Sequence, residues 1–185
     1  MPADLPPEDE AALGPPGDPE SVARTICLRL LDRRARSRAE LATALRKRGV
    51  PDDAAGAVLD RFAEVGLIDD AALAGTLAAA QHRERGLAGR AVAVKLRQRG
   101  IAEPQVRAAI ESIDRDSEYA AAQALVAKKL RSLGGLEPQV QARRLVGLLG
   151  RRGYAPGLAH EVVRAALAEA EFLGGAGSEP ACPDF

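Results

Sequence analysis

One short stretch occurs three times in this chain of 185 residues and limits what it can fold into. It reads Leu45-Arg46-Lys47-Arg48-Gly49-Val50, then Leu96-Arg97-Gln98-Arg99-Gly100-Ile101, then Leu149-Gly150-Arg151-Arg152-Gly153-Tyr154. The shared pattern is Leu-x-x-Arg-Gly-apolar, and its glycines are 51 and 53 residues apart. Physically this is the basic last turn of a helix, a glycine stop, and an apolar residue turning back into a core. Glycine just past a helix end takes the left-handed conformation that costs other residues about 1–2 kcal/mol. Arginine and lysine in the last turn face the negative end of the helix dipole. Three copies at near-constant spacing predict an internal repeat.

The register around the glycines supports the repeat. Eight residues before each glycine stand Leu41, Val92 and Leu145, and four before stand Leu45, Leu96 and Leu149. Ten after stand Leu59, Ile110 and Val163. Apolar columns at helical spacing predict three helices per unit. In the first unit a helix from about Ser21 to Arg34 carries Val22, Ala23, Ile26, Cys27, Leu30 and Leu31 on one stripe. Ser37-Arg38-Ala39-Glu40 is a capping box that starts the second helix. Pro51-Asp52-Asp53 starts the third, with Ala55, Val58, Leu59 and Phe62 inward, and Gly66 ends it. The second unit opens at Asp69-Asp70, read as a helix cap rather than a catalytic carboxylate pair. Leu73, Leu77 and Ala80 are expected to line its first helix. Pro104 opens its third, with Val106, Ile110 and Ile113 inward. The last unit begins at Asp116-Ser117-Glu118, its second helix at Pro138 and its third near Pro156.

Beta alternation is absent, so the expected fold is all-α: three tandem three-helix repeats in an elongated, curved solenoid. The expected boundaries are a disordered, acidic Pro-rich arm at 1–20, repeats at 21–67, 68–115 and 116–171, and a flexible tail at 172–185. A unit of about 50 residues is marginal alone, so neighbours must support one another.

Charge is distributed unevenly. The 26 Lys and Arg balance 26 Asp and Glu, yet residues 1–20 hold six acids and no base. The rest therefore carries an excess of six positive charges. The arm is either a passive extension or a transient cover for the basic body. Two cysteines, Cys27 and Cys182, make no disulfide framework and suggest a reduced, cytoplasmic setting. No apolar run approaches a membrane span, and the acidic N-terminus is unlike a signal peptide.

The residues offer little for catalysis. His82 and His160 are far apart in the repeat plan, and no Cys/His spacing suits zinc. His82 reads as a solvated residue near a helix end, and Phe62 and Tyr154 as core anchors. No cofactor or metal is expected, and the chain is not expected to be an enzyme. What remains is the basic residues of the first two helices of each unit. They are either ordinary solvated, helix-end charge or an aligned surface for an acidic polymer. Without interleaved aromatics, contact with nucleic acid would be phosphate-directed and salt-sensitive.

At these residues the chain resembles the RecX family of bacterial regulators of the RecA recombinase. The matching stretches are 36–41, 45–49, 66–70, 85–90, 95–101 and 151–154, in that order. The chain departs at Leu73-Ala74, where the family commonly has an aromatic before the alanine. The resemblance implies a partner, the RecA filament on single-stranded DNA. It implies binding in the filament's helical groove and limitation of its ATPase, strand exchange and co-protease activities. The candidate contacts for filament or DNA are Arg46, Lys47, Arg48, Arg90, Lys95, Arg97, Arg99, Arg151 and Arg152, on the second helices and their glycine-stopped ends. No membrane contact is expected, and a monomer is. Two other readings stay open: a stand-alone DNA-binding helical protein, and a neutral helical scaffold.

Overall fold

The computed structural model describes residues 17–175, with side chains through Phe172. The arm's first sixteen residues, most of the tail and Cys182 lie outside the described residues. Nine α-helices and one 3-10 turn make up the described chain, with no strand among them. They are α1 (Pro19–Arg33), α2 (Arg38–Arg46), α3 (Asp52–Glu64), α4 (Asp70–Arg85), α5 (Gly89–Gln98), α6 (Glu103–Glu111), α7 (Arg115–Leu130), α8 (Pro138–Arg151) and α9 (Pro156–Gly175). The first helix starts two residues earlier than expected. Asp18 accepts the Ser21 amide and Pro19 occupies the first turn, so the acid read as part of the arm is a helix cap. Helix α9 continues to Gly175, beyond the expected start of the tail.

Each trio has its own core. The first gathers Ala23, Cys27, Leu41, Leu45, Val58, Leu59 and Phe62, and Ile68 packs against them. The second gathers Ala74, Ala78, Val92, Leu96, Ile101 and Val106. The third gathers Ala122, Val126, Leu145, Leu149, Tyr154, Val162 and Val163. The columns at minus eight and minus four are fully buried in all three units. In the plus-ten column Leu59 and Val163 are buried, but Ile110 is only half-buried, because Val106 and Ala109 fill its core instead. In α4 the buried positions are Leu73, Ala74 and Ala78, and Leu77 and Ala80 are half-buried. Alanine there lets α5 and α6 pack closely on α4.

Helix packing is dense inside each trio and narrow between trios. Gly100 and Gly153 sit at those narrow places, while Gly49 ends α2 in open space. All three have positive φ, at +73°, +74° and +88° for Gly49, Gly100 and Gly153.

Candidate partner-binding groove and the joints that shape it

Each joint is made by the Arg-Gly end of one unit against the start of the second helix of the unit before. At the first joint Gly100 lies on Ala39, so close that a Cβ on the glycine would overlap the alanine's. Ser37 donates its hydroxyl hydrogen to the Arg99 carbonyl at 2.5 Å while its oxygen caps the Glu40 amide at 3.1 Å. Its side chain is fully buried. Glu40 closes the capping box on Ser37 N at 3.0 Å and receives both Nε and Nη2 of Arg99, at 3.1 and 2.7 Å. Arg99 also donates to the Ala35 carbonyl at 3.3 Å. Burial pushes the Glu40 carboxyl up, but the bonds from Arg99, Ser37 and Arg34 outweigh it and hold the group at about 2.

The second joint repeats the plan with different side chains. Gly153 lies on Ala91; a Cβ there would stand 2.7 Å from the alanine's Cβ and 2.9 Å from its nitrogen. The Arg152 carbonyl accepts from Ala88 N at 3.0 Å, and the Arg152 guanidinium donates to the Arg85 carbonyl. Tyr154 adds its hydroxyl to the Gly86 carbonyl at 3.1 Å. Burial, then the nearby Glu118 carboxylate, pushes the phenol up to about 12, against an opposing pull from Arg152. Both joints also use an acid from the next unit's first helix to cap the second helix of the unit before. Asp70 accepts from Arg38 N at 2.9 Å, and Glu118 from Gly89 N at 2.7 Å. Asp69 caps its own helix through Ala72 N. The Asp69-Asp70 pair is therefore two caps on two helices, which accounts for it without catalysis.

Arg99 and Arg152 both help to close the joints, because the glycine that stops each helix also brings the preceding guanidinium within reach of the neighbour's carbonyls. His82 is likewise half-buried, with Nδ1 donating to the Leu87 carbonyl at 2.9 Å, so it ties down the turn after α4 and is not simply solvated.

Beside the second joint the end of α4 and one face of α7 wall a groove of about 1090 Å³. It carries Arg83, Arg85, Lys95, Lys128, Lys129 and Arg152 against the single carboxylate of Glu84. Lys129 and Leu148 are shared with a second groove, of about 730 Å³, that adds Arg143, Arg144 and Arg151 and no acid. Among the described residues, of these cations only Arg152 is tied by a hydrogen bond, and none has an ion-pair partner. Like charges at this density raise the local potential and favour an anionic partner.

The nine candidates from the sequence do not form one site. Lys95 and Arg152 line the large groove, and Arg151 lines its continuation. Arg90 is exposed on α5. Arg97 is held by Glu103 through two bonds of 2.8 Å. Arg99 is in the first joint. Arg46, Lys47 and Arg48 stand at the end of the first unit, where Arg46 lies 3.7 Å from Asp52. The groove's remaining cations, Arg83, Arg85, Lys128, Lys129, Arg143 and Arg144, are visible in the sequence as basic positions. Four of them lie on first helices, away from the repeated motif, and only the packing of α4 beside α7 gathers them.

Among the described residues no group of three His, Cys, Asp or Glu side chains could hold a metal ion. No described helix is long and apolar enough to cross a membrane.

Fold and groove together define a tandem helical-repeat protein that presents two adjoining cationic grooves. The chain matches two family models, described as RecX, first three-helix domain, over residues 23–62, and RecX, third three-helix domain, over residues 116–163. It is 49% identical over 164 residues to the regulatory protein RecX of Thermobifida fusca, covering 85% of this chain and 88% of that one. It is 47% identical over 155 residues to the regulatory protein RecX of Streptomyces coelicolor, covering 84% and 82%. The crystal structure of RecX from Lactobacillus salivarius shares the fold with a TM-score of 0.74 at 15% identity, over 80% of this chain and 96% of that one. A second crystal structure of a regulatory protein RecX gives 0.71 at 19% identity, over 80% and 72%. The chain belongs to the RecX family of regulatory proteins.

Proposed function

We propose that this chain regulates the RecA recombinase, mainly as an inhibitor. In this reading it lies in the helical groove of the filament that RecA forms on single-stranded DNA. There it limits ATP hydrolysis, strand exchange and co-protease activity. The observation that carries the reading is the cationic groove between the second and third units, where six bases stand against one acid. A filament wrapped on DNA is a long anionic object, and a chain of units joined end to end suits a long groove. The grooves have no Phe, Tyr or Trp in their lining, which favours phosphate or carboxylate contacts over base reading.

The experiment has two arms at one salt concentration. The first measures DNA-stimulated ATPase of preformed RecA filaments with added protein. The second measures binding to bare single- and double-stranded DNA. Inhibition at concentrations that give no bare-DNA binding is the expected result. Equal or tighter binding to bare DNA, with no effect on the filament, would replace this reading with a stand-alone DNA-binding protein.

A further inference from the structure

The three Arg-Gly ends share one shape but not one use. Those at Gly100 and Gly153 are plugged into the preceding unit in the same way. The glycine lies on an alanine, the arginine carbonyl takes a hydrogen bond from the start of the preceding second helix, and the guanidinium reaches a carbonyl behind the preceding first helix. The first unit has the same end, and among the described residues no unit precedes it. Gly49 keeps φ at +73° with nothing within 4 Å of where its Cβ would be. Val50 is buried below it, as Ile101 and Tyr154 are below the others, so the end is held in the docking shape. Arg48 is exposed and, among the described residues, its side chain bonds only to the Ala44 carbonyl of α2, at 3.4 Å.

We propose that the Arg48-Gly49 end is a docking plug for a partner protein. It takes a partner's helix N-terminus that carries a small residue and a carboxylate in its first turn, as Ala39 and Glu40 do for Arg99 and Gly100. Both filled joints supply the small residue, and the first, through Glu40 and Arg99, supplies the carboxylate. A glycine without Cβ admits close approach only of a small side chain, and an arginine fork matches a carboxylate in two-pronged geometry.

A second copy of this chain does not fit. Among the described residues the only second helix without a plug on it is α8, which starts at Pro138, an extra turn earlier than its counterparts relative to the glycine. The register positions of Ala39 and Ala91 are taken by Arg143 and Arg144, both exposed. The amide aligned with the cap position, Gln141 N, is already bonded to the Glu137 carbonyl. Two arginines would face a basic plug, so the array is closed at that end.

The partner tested is the RecA filament, so the test rests on the function proposed above and is built to separate the two. Co-sedimentation with filaments is measured for the wild type, Arg48→Glu and Arg48→Lys, with thermal melting in parallel. A diazirine lysine placed at position 47 then maps the neighbour by photo-crosslinking. Arg48→Glu is expected to weaken binding about tenfold. Arg48→Lys should weaken it about threefold, since an ammonium keeps charge but loses the fork. The melting temperature should stay unchanged, because Arg48 crosses no joint. The crosslink should fall on a RecA helix start with a small residue and an acid. If the wild type itself does not sediment with filaments, the function proposed above fails. If the wild type binds and Arg48→Glu binds equally well, the plug alone fails. A crosslink to DNA or to a second copy also overturns it.

Discussion

Glu40 and Arg99, 59 residues apart in the chain, form a two-pronged ion pair across the first joint, and the same carboxylate completes the capping box of α2. One group therefore serves a helix end and a unit boundary together. The pair is about four-fifths buried on both sides. Removing one partner strands a half-desolvated charge, which costs about 1–3 kcal/mol. Glu40→Gln and Arg99→Ala should each lower stability by that order at pH 7, read by thermal unfolding.

The pH dependence follows from the depressed carboxyl. Unfolded, Glu40 titrates near 4.5; folded, it is held at about 2. A carboxylate with a lowered folded value stabilises fully above the unfolded value and loses that contribution as pH falls towards the folded one. The stability gap between wild type and Glu40→Gln should therefore be constant above about pH 5.5 and close between about 4.5 and 2. A gap that persists unchanged at pH 3 would detach the effect from ionisation.

Glycine substitutions separate backbone strain from packing at the joints. Gly49→Ala meets open space, so only the left-handed backbone is strained, at about 1 kcal/mol. Gly100→Ala and Gly153→Ala carry the same strain and also press on Ala39 and Ala91. Both should be less stable than Gly49→Ala by about 1–3 kcal/mol, as overpacking costs are. Adding Ala39→Gly to Gly100→Ala should recover the packing share and leave the strain. Equal melting for all three single variants would show that the joints have no steric content.

The repeat, most helix starts and the three cores are legible in the sequence because they rest on local signals. Ser37 and Glu40 announce a capping box, and Leu41, Val92 and Leu145 align at one register. The joints are not legible, since nothing near Gly100 in sequence indicates that Ala39 will lie under it. Nor does the sequence separate Arg97, which pairs within its own unit, from Arg99, which crosses a boundary two residues later. The groove is hidden for the same reason. Lys128 and Lys129 lie on a helix without the motif, and they gain meaning only when α7 stands beside the end of α4. Periodicity reports what a helix buries. It does not report which exposed faces two neighbouring units bring together.

Tyr154→Phe tests the second joint with one atom. The hydroxyl donates to the Gly86 carbonyl in a buried setting, and its loss should cost about 0.5–1.5 kcal/mol with little change in packing. Because the folded phenol is pushed up to about 12 from an ordinary 10, its contribution is complete below pH 10 and fades as pH rises from 10 towards 12. Melting curves of the two proteins should differ at pH 7 and converge towards pH 12.

Charge reversal in the groove separates partner contact from folding. Lys128 and Lys129 are exposed, pair with no acid among the described residues and touch neither joint. The double variant Lys128→Glu/Lys129→Glu should melt like the wild type and inhibit filament ATPase at least about tenfold less well, an effect that shrinks as salt screens the groove. If the groove meets phosphates, the slope of log affinity against log salt should fall by about 1–2 in the double variant. Arg97→Glu is the companion measurement. It opposes Glu103 on an exposed face outside the groove, so its loss of inhibition should be much smaller. An equal loss from Arg97→Glu would move the contact surface from the groove to the outer face of α5.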